Sequence, residues 1–362
     1  MRGWNPIRLE EGKGPVIQGE RRKKKNRMAV SIKDIAEKLN VSTATVSLTL
    51  SGQGDLRKVS KETQQRVLAC ARELRYQPNV LARSLNKGYS ENLGLIVTDI
   101  TDSFFSQLAN QIELEAERAG YTLMICCSHN DYRREERMIG LLQQKRVDGL
   151  LIAPLQRPDD VPYQNLADDF PAVAFDQLWP HWTGNSVVSS DRKSSHETVS
   201  GMIRCGARRI ALLCIDAGRY SVRERARGYM DALEEVGLPF CEDLYAELSI
   251  DSYRSDLPRV LDRILAIRPR VDAFFFTTHL LVEGLLRYMQ ERAVRLPEGC
   301  RLACFHGNPL LRSLLPSLSI VQMPIEAIAR EAVRLVCNQI ECRKRGEAAP
   351  PPEHLVLDCL IG

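Results

Sequence analysis

From Leu93 onward the chain repeats one rhythm, and few folds can accommodate it. A short apolar run, Leu93-Gly94-Leu95-Ile96-Val97, is followed by an amphipathic stretch from Phe105 to Ala119 that Gly120 ends. Tyr121 to Cys127 is the next apolar run, Tyr132 to Gln144 the next helical stretch, and Val147 to Ala153 a third strand. Ala172–Phe175 and Ser186–Ser190 complete a first set. The pattern then starts afresh with a helix over 194–204, a strand over 209–214, helices over 222–236 and 256–267, and the strand Ala273–Thr277. Short strands alternating with helices predict a doubly wound parallel sheet, and two sets in tandem predict two α/β lobes. Ligands of such sheets bind beyond the carboxyl ends of the strands, here in the cleft between the lobes. No G-x-G-x-x-G or G-x-x-x-x-G-K-[ST] follows a strand, so no nucleotide cofactor is expected.

The front of the chain is built differently. Ser31–Leu50, SIKDIAEKLNVSTATVSLTL, reads as two short helices and a tight turn. Ser31 caps the first helix, Asp34 sits where a carboxylate favours a helix N-terminus, and Ile35, Ala36 and Leu39 form its apolar stripe. Asn40-Val41 turns the chain and Ser42 caps again. The second helix is expected to bury Val46 and Leu50 and to present Thr43, Ala44, Ser47 and Leu48, as the reading helix of a helix-turn-helix does in the DNA major groove. An ordinary helical hairpin would use the same serines as caps only. A loop with two glycines, Ser51–Lys58, leads to Ser60, the cap of a third helix with Val67, Leu68, Ala71 and Leu74, which Tyr76-Gln77-Pro78 stops. Residues 79–88 then predict one short amphipathic helix with Leu81 and Leu85 on one face, which as an isolated element is marginal in water.

Charge separates these parts. Residues 1–90 hold 19 Lys and Arg against 8 Asp and Glu, whereas the remaining 272 hold 31 against 38. A basic front on an acidic body suits one segment made for phosphate and another that is not. Residues 1–28, with the run Arg21–Arg27, are expected to be a basic disordered extension. The eleven scattered cysteines show no metal spacing beyond Cys300 and Cys304, which predicts reduced thiols in a cytoplasmic protein. No apolar run reaches the roughly 18 residues of a membrane span, and no secretory signal is evident.

Taken in order, these segments resemble the LacI/GalR family of bacterial transcription regulators. The resemblance spans nearly everything from Val30 to Leu360. It is carried by Ile35-Ala36, Val41-Ser42, Thr45-Val46-Ser47, Tyr76-Gln77-Pro78-Asn79 with Ala82-Arg83-Ser84-Leu85, Val147–Ile152 and Arg225-Ala226-Arg227-Gly228-Tyr229. Leu93–Ile100 and Phe275–Thr278 look most like the fructose/sucrose-repressor branch. The resemblance implies an N-terminal all-α helix-turn-helix domain over 29–78, a hinge helix and linker over 79–90, and two lobes of periplasmic-binding-protein type over 91–362. Lobe 1 is expected to span about 91–189 plus a segment near 320–340, and lobe 2 about 190–319 plus the C-terminus.

By the same resemblance Thr43, Ala44 and Leu48 fall at base-reading positions, and Ser31, Ser42, Thr45 and Ser60 where hydroxyls meet phosphates. Ser47, Arg57, Lys58, Asn79, Ala82 and Arg83 join the DNA-binding set, and Leu85 falls at a minor-groove lever that unstacks a base step. Asp99, Phe104, Ser221, Arg225, Thr278 and His306 fall at effector positions. On its own chemistry Arg225 is the best anion clamp of lobe 2, able to grip a carboxylate or phosphate bidentately; a solvent-facing helix arginine is the alternative.

The departures from the family pattern matter as much. Leu48 can touch a thymine methyl but cannot hydrogen-bond a guanine edge. The loop Gln53–Lys58 is longer than in type members. The usual Asn-Asp after the second-lobe strand reads Thr278-His279, and the aspartate of the usual Gly-Phe-Asp-Asp reads His306. That exchange favours a phosphorylated or acidic ligand over a plain neutral sugar.

The function expected is a sequence-specific DNA-binding regulator, a repressor, that binds a palindromic operator as a homodimer under control of a small sugar or sugar phosphate. A dimer is expected rather than a tetramer, since no heptad tail is seen to build one. The competing reading is a cytosolic sugar-binding protein or α/β enzyme with an unrelated N-terminal appendage. The six histidines show no H-E-x-x-H or nucleophile-elbow context, which speaks against the enzyme.

Overall fold

The computed structural model describes residues 30–76, 88–156, 166 and 170–362. The chain divides at Arg83/Ser84 into two compact units, described separately. The expected basic extension and most of the expected hinge helix, with Asn79, Ala82, Arg83 and Leu85, lie outside the described residues.

In the first unit α1 (Ile32–Leu39), α2 (Thr43–Leu50) and α3 (Lys61–Glu73) close on Ile35, Ala36, Val46, Val67, Cys70 and Ala71. Ser31 and Asp34 cap α1 reciprocally: Ser31 Oγ accepts from the Asp34 amide at 3.4 Å, and Asp34 Oδ2 accepts from the Ser31 amide at 2.7 Å. Asn40 ends the helix in the left-handed region, φ 53°, which asparagine tolerates better than most residues. One core expectation needs correction. Thr49, rather than Leu50, is the second buried residue of α2, because its hydroxyl donates to the Thr45 carbonyl at 2.8 Å and so enters the core satisfied. Leu50 is half-buried against the same core.

The second unit carries two six-stranded sheets. In lobe 1, β1 (Asn92–Val97), β2 (Thr122–Cys127), β3 (Gly149–Ile152), β4 (Ala172–Phe175), β5 (Asn185–Ser189) and a late strand β11 (His354–Leu357) lie in the order 2-1-3-4-5-11, all parallel. In lobe 2, β6 (Ile210–Ile215), β7 (Tyr245–Leu248), β8 (Ala273–Phe276), β9 (Arg301–Phe305), β10 (Leu318–Gln322) and β12 (Leu360–Ile361) lie in the order 7-6-8-9-10-12. Only β12 runs antiparallel. Among the described residues the sheets are flanked by helices α4 (Ser103–Arg118), α5 (Tyr132–Gln144), α6 (Asp191–Arg204), α7 (Tyr220–Glu235), α8 (Tyr253–Ala266), α9 (His279–Arg292), α10 (Pro309–Leu314) and α11 (Ile325–Arg345). Helices over both faces explain why β3, β4, β6 and β8 are buried along their whole length.

The same device starts both sheets. Asp148, just before β3, accepts from the backbone amides of Ser90 and Glu91 at 2.7 and 2.8 Å and fixes the entry to β1. Asp272, just before β8, does the same for Arg208 and Arg209 ahead of β6, at 2.9 Å each.

The lobe boundaries differ from expectation at the C-terminal end. β10 belongs to lobe 2, not to a lobe 1 segment starting near 320, and β11 returns the C-terminal region to lobe 1 before β12 crosses back. The reason is pairing: β11 completes the open edge of β5 in parallel, with Leu355 opposite Val187, while β12 covers β10. α11 packs on α4 and the lobe 1 strands. The chain therefore crosses between lobes three times, after Ser189, Gln322 and Leu357.

Candidate functional site

In the first unit Thr43, Ala44 and Ser47 are exposed on α2, and Leu48 is half-buried. The hydroxyls expected at phosphates are already engaged as caps. Ser42 Oγ accepts from the Thr45 amide at 3.0 Å and lies 2.8 Å from Thr45 Oγ1, and Ser60 Oγ accepts from the Thr63 amide at 3.2 Å. Ser31, Ser42 and Ser60 nonetheless stay exposed, so each can accept a second partner. The loop after α2 is held by Gln64, whose Nε2 donates to Asp55 Oδ1 and the Val59 carbonyl, both at 2.8 Å, while Lys61 pairs with Asp55 at 2.6 Å. Arg57 and Lys58 project from it, exposed, and form no ion pair among the described residues. Gln64 gave no signal in the sequence, because its role depends on where the loop folds.

In the second unit all six expected effector residues line one cleft between the lobes, of about 460 Å³. That size is ordinary for a small-molecule pocket, ~300–1,000 Å³. Asp99 leaves the end of β1 and turns back, accepting from the Thr101 amide at 2.9 Å and its hydroxyl at 2.8 Å; these bonds hold its carboxyl below the usual range. Phe104 sits in the first turn of α4, buried, with its ring 4.2 Å from that of His306 in lobe 2. Thr278 caps α9 by accepting from the Leu280 amide at 3.4 Å. His306 follows β9 at φ 60°, a conformation uncommon for a side-chain-bearing residue. Burial, the Arg225 charge and His279 all push its imidazole well below the usual range, and its Nδ1 meets no partner among the described residues.

Arg225 is the centre of the cleft floor. It is 2% exposed, which removes the solvent-facing alternative. Its Nε donates to Asp191 Oδ1 at 2.7 Å, its Nη1 to the Thr277 carbonyl at 2.7 Å, and its guanidinium lies 4.1 Å over the Phe305 ring. Only Nη2 is without a partner among the described residues. Two of its five N–H groups are thus held within the protein, and both N–H groups of Nη2 remain for a ligand. α7 can come close enough to α6 for the Arg225–Asp191 bond because residue 228 is glycine; a Cβ there would collide with the Arg192 carbonyl.

Several residues of the cleft were missed in the sequence. Asp176, immediately after β4, is buried with Oδ1 unpartnered among the described residues; Oδ2 accepts from Gln177 at 3.0 Å. Burial raises its carboxyl to about 6 against the opposing pull of Arg225. Gln177 binds Ser221 of lobe 2 twice, donating to its hydroxyl and accepting from its amide at 3.2 Å. His279 Nε2 lies 3.2 Å from Ser103 Oγ, and Arg219 donates to Asn130 at 2.8 Å. These are contacts between lobes, so the cleft's two walls are latched by polar pairs. A usable signal existed for Asp176, as for Asp99: a charged residue directly after an apolar strand falls at a carboxyl end, where ligands of open sheets bind.

Residues 31–79 match the family model for bacterial regulatory proteins of the lacI family, and residues 199–361 that of a periplasmic binding protein-like domain. The chain belongs to the lacI family. It is 29% identical over 312 residues to the ribose operon repressor of Halalkalibacterium halodurans, covering 86% of this chain and 90% of that one. It is 27% identical over 314 residues to the HTH-type transcriptional repressor PurR of Vibrio parahaemolyticus, covering 86% and 92%. The lac repressor dimer bound to operator and the anti-inducer ONPF superposes with a TM-score of 0.77 over 92% of this chain and 98% of that one; at 19% identity this speaks to the fold. As a lacI-family protein the chain is a DNA-binding transcriptional regulator.

Proposed function

We propose that this regulator is a non-enzymatic cytoplasmic repressor that binds an inverted-repeat operator as a homodimer and is controlled by a small sugar-like effector in the inter-lobe cleft. The observation that carries the effector half is the convergence of Asp99, Phe104, Ser221, Arg225, Thr278 and His306, from both lobes, on one cavity. On this reading Thr43, Ala44, Ser47 and Leu48 touch base edges, while Ser31, Ser42, Thr45, Ser60, Arg57 and Lys58 hold phosphates. A ligand binding both walls changes how the lobes close, and it alters DNA affinity only by its differential affinity for the two arrangements.

The DNA half is tested by selecting duplexes from a random pool with the full-length protein at moderate salt. Enrichment of an inverted repeat is the expected result. A pool that stays random, or a single unrepeated half-site, would remove the dimeric operator from the proposal.

A further inference from the structure

The loop between α2 and α3 is shaped by one side chain of α3. Gln64 Nε2 donates to Asp55 Oδ1 and to the Val59 carbonyl, both at 2.8 Å, so a single amide group ties the two ends of the segment 55–59. Both neighbours are acceptors, which fixes which end of the amide faces the loop. The backbone closes on itself around this point. The Arg57 amide donates to the Gln53 carbonyl at 3.2 Å, the Lys58 amide to the Asp55 carbonyl at 3.2 Å, and the Val59 amide to the Gly54 carbonyl at 2.9 Å. Gly54 is buried because the Gln64 amide occupies the place of a side chain there; a Cβ at residue 54 would lie 2.7 Å from Gln64 Cδ. Lys58 stands at φ 58°, a conformation that a lysine seldom adopts unless its surroundings impose it.

The charge of the loop follows from the same bonds. Asp55 is the one carboxylate between Ser51 and Ser60. Left free, it would stand beside Arg57 and Lys58 and repel any phosphate that they attract. Instead its Oδ1 accepts from Gln64, and its Oδ2 pairs with Lys61 at 2.6 Å. Arg57 and Lys58 stay exposed and form no ion pair among the described residues. A loop tied in this way is ordered before it meets a partner, and it avoids the conformational entropy that a free loop would lose on the duplex.

We propose that Gln64 is a positioning residue for DNA binding: its amide, without touching DNA itself, holds the loop 54–59 so that Arg57 and Lys58 of the free protein already stand where both neutralise phosphates. The inference rests on the reading that Arg57 and Lys58 hold phosphates.

The test uses the full-length protein with the duplex enriched from the random pool, or the unselected pool where none is enriched. Half-saturation is measured over a series of salt concentrations. Gln64→Met keeps the length and helix preference of the side chain and removes both donated bonds. Gly54→Ala reaches the same point from the other side, by pushing the amide off the loop. Arg57→Ala/Lys58→Ala is the reference. Each neutralised phosphate contributes about 0.9 to the slope of log affinity against log salt. Gln64→Met and Gly54→Ala are each expected to lower that slope by about 1–2 per chain, with the helix content of wild type retained in circular dichroism. Gln64→Met added to Arg57→Ala/Lys58→Ala is expected to change the slope no further. A loss of folded protein would weaken binding by one factor at every salt concentration and leave the slope as it was. A wild-type slope in Gln64→Met beside a lowered slope in Arg57→Ala/Lys58→Ala overturns the inference and keeps the phosphate reading. Slope losses that add in the combined variant also overturn it, because Gln64 would then act apart from the two cations. An unchanged slope in Arg57→Ala/Lys58→Ala overturns the phosphate reading, and the inference with it.

Discussion

Replacing Asp176 with Asn removes the least favourably placed charge in the cleft, and its effect can be worked out from its surroundings. The carboxyl is raised from 3.8 to about 6, first by burial, with the Asp191 carboxylate adding to the rise and Arg225, Gln177 and Arg219 opposing it. A rise of roughly two units at ~1.4 kcal/mol each means that the ionised form makes the fold about 3 kcal/mol less stable than an unperturbed carboxylate would. The sign follows from proton uptake. Between pH 3.8 and 6 the native state holds the proton more tightly than the unfolded chain, so stability falls as pH rises through that window and is lowest above it. Asn carries no such dependence, and Arg225 keeps its bond to Asp191. The variant is therefore expected to melt above wild type at pH 8 by roughly 5–10 °C for lobes of this size, and by about half that margin at pH 5. Differential scanning calorimetry of both proteins across pH 5–8 measures the gap directly. A variant that melts below wild type by the same margin at both pH values would refute the reasoning, since the Asp176–Arg225 attraction would then outweigh desolvation.

Other residues give equally definite expectations. Arg225→Ala leaves Asp191, 2% exposed, without its guanidinium and is expected to lose about 3–5 kcal/mol of stability together with the effector response; denaturant melts and DNA binding with and without ligand check both. Gly228→Ala, which drives a methyl into the Arg192 carbonyl, is expected to lose about 1–3 kcal/mol by prising α7 from α6. The double variant Arg57→Ala/Lys58→Ala is expected to lower the slope of log affinity against log salt by about 2 per chain if both side chains neutralise phosphates, and an unchanged slope would remove the loop from the DNA contact.

The residues differ instructively in how legible they were. The strands were readable because both faces of each sheet are covered, which leaves uninterrupted apolar runs such as Leu150–Ile152 and Phe274–Phe276. Caps were readable because Ser31, Ser42 and Ser60 act within their own helices. The effector set could be placed only through the family resemblance, and the partners that decide its chemistry could not be placed at all. Asp191 lies 34 residues before Arg225, and Gln177 lies 44 before Ser221. Such pairs depend on how two sheets are brought together, and no local periodicity encodes that. The late strands β11 and β12 were lost for a related reason: they are short, and their lobe membership depends on which sheet edge stands open.

The most direct test of the account is the half-saturation of a selected inverted-repeat duplex by full-length protein, read by fluorescence anisotropy with and without a cleft-binding sugar. The account predicts a shift of about 5- to 150-fold in wild type and none in Arg225→Ala protein that still binds the duplex. Half-saturation that is the same with and without saturating sugar in the wild type would contradict it.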